Sequence, residues 1–257
     1  MLRKRIIPKF LLQDGRLVKG VRFHENLREA GNPVTTAKVY DSYGVDELIF
    51  LDIQATDSQS SMVDVIERVS REVFMPFTAG GGVRTHEDIN RLLRAGADKI
   101  SINTAAVEMP SFVKEAATSF GDQCITVAID YRRRPDGSQR VWTHGGRQET
   151  ELEPVDWALR MQDANCGEIL FTSIDRDGTM NGYDLETIAR VAHALDIPVI
   201  ASSGAGNLDD CADAFEAGAS AIAIGSLFFF TDHSPIKVRS ALKSRGHNVR
   251  ASLSSRN

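Results

Sequence analysis

Residues 80–104 read GGGVRTHEDINRLLRAGADKISINT, and residues 202–226 read SSGAGNLDDCADAFEAGASAIAIGS. The two stretches align at a constant shift of 122 positions, which puts Gly82 on Gly204 and Thr104 on Ser226. Each copy contains a small-residue turn, a helical pattern and a strand that ends next to a hydroxyl residue. Because the shift is close to half of the 257-residue chain, the sequence predicts one structural unit used twice.

Short apolar runs alternate with helical patterns along the whole chain. Thr85 and Asn207 precede two of the helical patterns, at 86–95 and 209–217, and are residue types that cap helices. We predict eight strands, at 5–12, 47–52, 76–79, 99–103, 125–130, 168–172, 198–201 and 221–224.

Eight strands, each followed by a helix, in about 250 residues are typical of a (β/α)8 barrel. An open, doubly wound sheet is the alternative, and the twofold repeat of four units favours closure. We therefore predict an α/β fold with a single TIM-barrel domain over residues 1–257, made of half-barrels at about 1–122 and 123–257. The polar segment 131–152, with a turn at Pro135, Asp136 and Gly137, is predicted to form a hairpin over the barrel mouth.

The composition narrows the class of protein. Apolar residues make up 42% of the chain and the formal net charge is −5, so a nucleic acid is not an expected partner. No apolar run reaches the roughly 18 residues of a membrane helix, and we interpret the start MLRKRIIPKF as no signal peptide. Three cysteines without metal-like spacing suit a reducing cytoplasm. We expect no metal and no cofactor.

The repeated turns predict two phosphate sites. They follow the third and seventh strands, and Thr104 and Ser226 follow the fourth and eighth, so all lie on the face of a barrel where active sites are found. Glycine allows backbone N–H groups to approach a phosphate, and a helix N-terminus attracts negative charge. Ordinary tight turns are the alternative interpretation. Two such sites across one mouth predict a substrate with a phosphate at each end.

Three aspartates are candidates for chemistry at the same face. Asp130 ends the fifth strand with its side chain directed into the mouth by strand parity, where a carboxylate can act as a general acid or base. Of Asp175 and Asp177, which follow the sixth strand, we expect one to contact substrate and the other to order its loop. The six histidines form no ligand pair, and no role is assigned to them.

Charged residues also mark the opposite end of the barrel. Four strands begin with a charged residue, two positive and two negative: Arg5, Glu47, Lys99 and Glu168. From physical chemistry alone they predict a salt-bridge layer that closes the core.

Several segments resemble the HisF-type cyclase subunit of imidazole glycerol phosphate synthase, and the similarity extends over nearly the whole chain. They include DELIFLDI, PFTAGGGVR, GADKISINTAA, VAIDYRR, GEILFTSIDRDGT and IPVIAS. The resemblance implies a (β/α)8 barrel that forms a heterodimer with a glutaminase docked on its N-terminal face. Ammonia would cross the barrel to a bisphosphorylated substrate, which is split and closed to an imidazole in a lyase reaction of histidine biosynthesis.

The resemblance also implies roles for individual residues. Asp130 is implied as one of two catalytic aspartates, and Lys19 as a lysine of the substrate loop. The implied gate of the ammonia channel consists of Arg5, Glu47, Lys99 and Glu168. The predicted substrate- and phosphate-binding residues are Lys19, Gly81, Gly82, Asn103, Thr104, Thr172, Asp177, Gly178, Ser203, Gly204, Gly225 and Ser226.

Three positions depart from the pattern of that family. Leu11 stands where the second catalytic aspartate is expected, and leucine cannot transfer a proton. Lys9 replaces a usually small residue, and we expect its ammonium group to lie in the barrel and to pair with Asp130. Ser203 replaces a glycine of the second phosphate turn, which narrows the backbone conformations available there.

A leucine-rich first strand after Ile6-Ile7-Pro8 resembles a paralogous branch that occurs with surface-polysaccharide (O-antigen) genes. The implied role is to deliver glutaminase-derived ammonia to a sugar amidotransferase, which amidates an acetamido sugar. Two alternatives stay open. One is a working histidine-pathway cyclase in which Asp14 or Lys9 replaces the missing aspartate; the other is a phosphosugar-binding protein without ammonia traffic.

Overall fold

The apolar runs pair side by side into a closed parallel barrel. The computed structural model describes residues 3–54 and 60–250, so residues 55–59 and both ends of the predicted 1–257 domain lie outside the description. The strands of the described part are β1 (Arg5–Gln13), β2 (Arg16–Val21), β3 (Glu25–Gly31), β4 (Leu48–Asp52), β5 (Phe77–Gly80), β6 (Lys99–Ile102), β7 (Ile125–Arg133), β8 (Gln139–Thr143), β9 (Gln148–Glu149), β10 (Glu168–Ser173), β11 (Val199–Ser202) and β12 (Ala221–Ile224).

Helices follow the barrel strands and form the outer layer. They are α1 (Pro33–Ser42), α2 (Ser60–Ser70), α3 (His86–Arg94), α4 (Thr104–Glu108), α5 (Ser111–Phe120), α6 (Pro154–Asp163), α7 (Leu185–Ala194), α8 (Leu208–Glu216), α9 (Ser226–Phe230) and α10 (Pro235–Ser244). A short 3-10 turn, Asp122–Cys124, precedes β7.

The two halves of the chain close one barrel. β1, β4, β5 and β6 come from the first half, and β7, β10, β11 and β12 from the second. The halves join through parallel pairing of β6 with β7 and of β1 with β12, where Arg5 lies opposite Ala221. The remaining neighbours pair in parallel as well. The predicted (β/α)8 barrel is therefore confirmed, and the open-sheet alternative is wrong.

Each half also extends its first strand into a hairpin. β7 continues past Asp130 and turns back as β8, which pairs with it in antiparallel fashion, so the predicted hairpin over 131–152 is confirmed. β1 does the same with β2, to which β3 is added. The sequence analysis did not foresee this second hairpin, whose strand β3 is mostly exposed and lacks an apolar pattern.

The repeated helices begin in the same way in both halves. The Thr85 side chain accepts a hydrogen bond from the N–H of Asp88, and the Asp88 carboxylate accepts from the N–H of Thr85. Asn207 and Asp210 form the same reciprocal capping box at the start of α8. Such a box satisfies backbone donors that the helix leaves unpaired, and it fixes the turn that leads from the strand into the helix.

The barrel interior is layered along its axis. Charged side chains lie at the N-terminal ends of the strands, and an apolar layer follows, formed by Ile7, Ile49, Ala128, Leu170, Ile200, Ala221 and Ala223. Lys9, Asp130 and Ser202 lie above it, at the C-terminal end. In the part of the chain that the structure describes, no helix is long and apolar enough to cross a membrane.

Candidate active site

Two cavities lie at the C-terminal ends of the barrel strands, and Lys9 lines both. The larger lobe has a volume of about 210 Å³ and includes the first glycine-rich turn with Asn103, Thr104 and Asp130. The smaller lobe, of about 10 Å³, includes the second turn. The internal repeat therefore produces two lobes around one mouth, and they differ greatly in free volume.

Backbone shape in the larger lobe depends on glycine. Gly81 and Gly82 have φ of +106° and +67°, and a Cβ on Gly81 would lie 2.3 Å from the Asp52 carbonyl oxygen. Thr104 ends this lobe, and its Oγ1 accepts a hydrogen bond of 2.9 Å from the N–H of His144 on the β8 side. The turn is thus held close to the neighbouring strand, and a side chain at position 81 does not fit.

The smaller lobe is lined by Gly178, Ser203, Gly204, Gly225 and Ser226. Ser203 has φ of +82°, in the region that favours glycine, and its hydroxyl donates to Asp177 at 2.8 Å. The buried Oγ of Ser226 has no hydrogen-bond partner among the residues that the structure describes. A ligand oxygen in this lobe would satisfy it.

Lys19 reaches the smaller lobe from β2. Its ammonium group lies 3.0 Å from both oxygens of Asp177, and both side chains are buried. Gly178 makes this possible: it approaches Gly20 so closely that a Cβ would lie 2.3 Å from the Gly20 carbonyl oxygen. Burial by itself would raise the pKa of Asp177, but the cations of Lys19 and Lys9 outweigh it and lower that pKa. Asp175, by contrast, accepts from the N–H of Arg133 and orders the β7–β8 hairpin.

Asp130 lies in the larger lobe between two hydrogen-bonding neighbours. Asn103 donates to its Oδ2 at 2.9 Å, and Thr172 lies beside it on β10 in the strand register. Burial raises the pKa of Asp130 to about 7, although the Lys9 cation opposes the shift. A carboxyl group with such a pKa exchanges its proton near neutral pH, as a general acid or base requires.

A closed ring of ion pairs lies at the other end of the barrel. Arg5 contacts Glu47 at 2.8 Å and Glu168 at 2.7 Å, and Lys99 contacts the same two carboxylates at 3.0 and 2.8 Å. Each cation therefore has two anions and each anion two cations. Glu47 is the residue immediately before β4 and not its first residue, and its side chain still joins the ring.

Comparison with known proteins agrees with this architecture. The model of the histidine biosynthesis protein family matches residues 5–234. The chain belongs to that family. Imidazole glycerol phosphate synthase subunit HisF of Geobacillus thermodenitrificans is 51% identical over 253 residues, which is 97% of this chain and 100% of the relative. The same-named subunits of Streptomyces griseus subsp. griseus and Streptomyces coelicolor are 49% identical over 250 residues, 97% of this chain and 99% of theirs.

Strand β1 carries a buried lysine, Lys9, at the mouth of the barrel, and the structure corrects the expectation about its partner. The expectation that Lys9 pairs with Asp130 is wrong. The Lys9 ammonium group donates to Ser202 Oγ at 2.7 Å and lies 3.8 Å from Asp177, whereas Asp130 lies beyond ion-pair distance. Strand β11 places Ser202 at the top of the barrel two strands from Asp130, with Thr172 of β10 between them, and the lysine extends toward Ser202.

Leu11 belongs to an apolar wall of the larger lobe. It is 6% exposed, lies opposite Leu51 in the β1–β4 pairing, and faces the same cavity as Asp130. Ile53, Val83 and Phe23 complete this wall. The lobe thus combines these apolar side chains with hydroxyl, amide and carboxyl groups, such as those of Thr172, Asn103 and Asp130.

The larger lobe contains residues that the sequence analysis missed. His24 and His144 line it, although no role was assigned to the histidines, and so do Arg84, Arg147 and Ser101. His24 Nε2 lies 2.7 Å from the carbonyl oxygen of Gly145, so the two hairpins touch above the mouth. Position in loops that follow barrel strands is the one sequence signal that could have indicated them.

The ionic ring predicts a stability effect that depends on pH. Burial alone would raise the pKa of Glu168, but Arg5 and Lys99 outweigh it and lower that pKa below the ordinary 4.5. Glu168→Gln leaves two cations with one carboxylate, and we expect a loss of about 3 kcal/mol in the free energy of unfolding at pH 7. Urea unfolding measures it.

The contribution of ionised Glu168 is present above pH 4.5 and is lost as the pH falls through the lowered pKa. The difference between wild type and Glu168→Gln should therefore shrink in acid. Glu149→Gln, which breaks a pair with Arg134 at the protein surface, is the matched control and should cost clearly less stability than Glu168→Gln. Equal losses for both variants would contradict the prediction.

For Asp130 we expect the free energy of unfolding to change with pH in the opposite direction. Its folded-state pKa of about 7 lies above the ordinary 3.8, so the stability that the protonated form contributes is complete below pH 3.8 and is lost by pH 7. Asp130→Asn should gain stability relative to wild type across that interval, by up to about 1.4 kcal/mol per pH unit. The exposed Asp196→Asn is the control, and a pH-independent difference for Asp130→Asn would show that the carboxyl group titrates normally.

Proposed function

We propose that this chain is the ammonia-receiving barrel subunit of a glutamine amidotransferase and serves the amidation of an acetamido sugar in surface-polysaccharide biosynthesis. One observation carries the proposal: Leu11 faces Asp130 across the larger lobe, at the position where the family resemblance implies a second catalytic aspartate. General acid–base catalysis by one positioned group contributes typically about 10²- to 10⁴-fold. A barrel without that group retains binding and ammonia delivery but loses cyclisation.

The interior of the barrel supports ammonia passage. The ring of Arg5, Glu47, Lys99 and Glu168 is the proposed gate at the N-terminal end. The apolar layer above it, which includes Ile7 and Leu170, disfavours an ammonium ion because an unpaired charge is costly in such surroundings. Neutral ammonia meets no such barrier. It would leave the layer at the level of Lys9 and Asp130, beside both lobes.

The two lobes support a phosphorylated ligand. Gly81, Gly82, Asn103 and Thr104 are the proposed phosphate site in the larger lobe, and Gly204, Gly225 and Ser226 the one in the smaller lobe. Lys19 and the unpartnered Ser226 hydroxyl supply a charge and a hydrogen-bond donor to the latter. The ligand is proposed as a phosphosugar, whose one or two phosphates would occupy these turns.

A working histidine-pathway cyclase is the second candidate, because the HisF subunits named above are 49–51% identical to this chain. It needs a replacement for the missing carboxylate. Asp14 is exposed at the β1–β2 turn and lines neither cavity, which leaves Lys9 as the candidate. The third possibility, a phosphosugar-binding protein without ammonia traffic, leaves the ionic ring with a structural role alone.

The cyclisation assay separates these functions. Wild-type protein is mixed with the bisphosphorylated ribulosyl substrate of the histidine pathway and a saturating ammonium salt at alkaline pH, so that no glutaminase is needed. We expect at most trace turnover by wild type and a rate at least about a hundredfold higher in Leu11→Asp, which restores a second carboxyl group. Substrate loss is followed by absorbance.

Leu11→Asn is the matched control, since it introduces a polar side chain of the same size that cannot transfer a proton. It should remain inactive, and so should Leu11→Asp combined with Asp130→Asn. Turnover of wild type near 1 s⁻¹, within the range of ordinary enzymes, would overturn the amidation proposal in favour of the cyclase.

The glutaminase partner gives a second prediction. Phe74 lies in the loop before β5, at the N-terminal end of the barrel that also holds the ring, and it is 94% exposed. A fully exposed aromatic side chain is typical of a buried anchor in a complex. Phe74→Asp should weaken binding of the glutaminase subunit from the same genome at least about tenfold, which is 1.4 kcal/mol, in a titration calorimeter.

Phe230→Asp is the matched control for this titration. Phe230 is 47% exposed and lies at the end of α9, on the side of the strands' C-terminal ends. Its replacement should leave the affinity unchanged. Equal losses for both variants, or an unchanged affinity of Phe74→Asp, would argue against a partner on the N-terminal face.

A further inference from the structure

Lys9 is a buried lysine at the junction of the two lobes. Its side chain is 5% exposed, yet it lines both cavities, so a ligand that extends from one lobe to the other passes its ammonium group. Lys9 lies in strand β1, where pairing with β12 on one side and β4 on the other fixes its position. The phosphate sites described above do not require an amine at this place.

Among the described residues, Lys9 has no carboxylate that it does not share with another cation. Asp177 is the nearest carboxylate at 3.8 Å, but both of its oxygens are already engaged by Lys19 at 3.0 Å, and one also accepts from Ser203. The closest partner of Lys9 is the neutral hydroxyl of Ser202, at 2.7 Å. Two buried cations therefore share one fully used carboxylate, which is an unfavourable balance of charge.

Loss of one proton corrects that balance. A neutral Lys9 amine leaves Lys19 and Asp177 as a complete ion pair, and Ser202 keeps its hydrogen bond by donating to the amine. Burial and the neighbouring Lys19 cation lower the pKa of Lys9, against the opposing effects of Asp177 and Asp130. Loss of the proton is therefore easier for Lys9 than for a well-paired lysine, and the neutral amine is the form that acts as a nucleophile.

We propose that the Lys9 amine forms an imine with the carbonyl carbon of a phosphorylated sugar bound across the two lobes. The proposal rests on the phosphosugar ligand of the proposed function and adds the class of reactive group that this ligand carries. It makes Lys9 a catalytic residue that holds the sugar carbon at the point where ammonia leaves the barrel.

The chemistry needs no oxidant or reductant. The Lys9 nitrogen adds to the carbonyl carbon, and the C=O electron pair moves to oxygen, which gives a carbinolamine. Asp130, which lines the same lobe and carries a proton near neutral pH, protonates the hydroxyl group, which leaves as water as the C=N bond forms. Ammonia then adds to the same carbon, a proton passes from the added nitrogen to the Lys9 nitrogen, and the neutral Lys9 amine departs, so that the ammonia nitrogen leaves the barrel as the sugar's own imine.

Reductive trapping tests the covalent step without ammonia. The protein is incubated with fructose 1,6-bisphosphate or ribulose 5-phosphate, reduced with cyanoborohydride, digested and analysed by peptide mass spectrometry. We expect the peptide that contains Lys9 to gain the mass of the sugar phosphate minus one oxygen. Lys9→Arg keeps the positive charge but forms no such adduct, and Lys9→Met has a similar length without the amine, so both should lose the signal.

Calorimetric titration with the same sugars accompanies the trapping and separates the two proposals. Binding without an adduct on Lys9, or adducts distributed equally over exposed lysines such as Lys114, would overturn the imine and leave the phosphosugar function intact. No binding of either sugar would overturn both. Retention of the adduct pattern in Lys9→Arg would show that the label lies elsewhere and would also overturn the imine.

Discussion

Barrel closure is the constraint on which the rest of this structure depends. When β1 pairs with β12 and β7 with β10, the inward side chains of eight strands enter one shared interior that meets bulk water only at its two ends. A charge in that interior must find its partner within the same layer. The ring around Arg5 and Lys99 satisfies this rule completely, and the pair of lysines around Asp177 satisfies it only in part. The complete pairing in the ring stabilises the fold, whereas the incomplete pairing around Asp177 leaves Lys9 reactive.

Duplication supplied two similar halves that have since diverged. The capping boxes at Thr85 and Asn207 preserve the original symmetry, because they determine how a strand passes into a helix. The lobes do not preserve it. Lys9 and Lys19 both extend toward the second turn and narrow its lobe, whereas the first turn remains open beside the apolar wall of Leu11. A twofold scaffold thus presents an asymmetric surface to its ligand.

Sequence reasoning predicted the barrel because the strand runs and the repeat are local patterns, and closure of a barrel allows few ways to combine them. Sequence reasoning also predicted that four charged residues meet at one end of the barrel, because all of them lie at predicted strand starts: Arg5, Glu47, Lys99 and Glu168. It failed for Lys9: strand parity gives the direction into the barrel but not the choice between Asp130 and Asp177, which depends on rotamers and on Ser202. It also missed His24 and His144, which reach the larger lobe only through the folding of two hairpins.

The two hairpins affect how molecules enter the mouth of the barrel. One grows from the first half of the chain and the other from the second, and they meet where His24 contacts the carbonyl group of Gly145. Any movement that separates the two hairpins must break this hydrogen bond. The two halves of the chain therefore share one entrance, and a ligand of either lobe enters the barrel mouth beside the same contact between the hairpins.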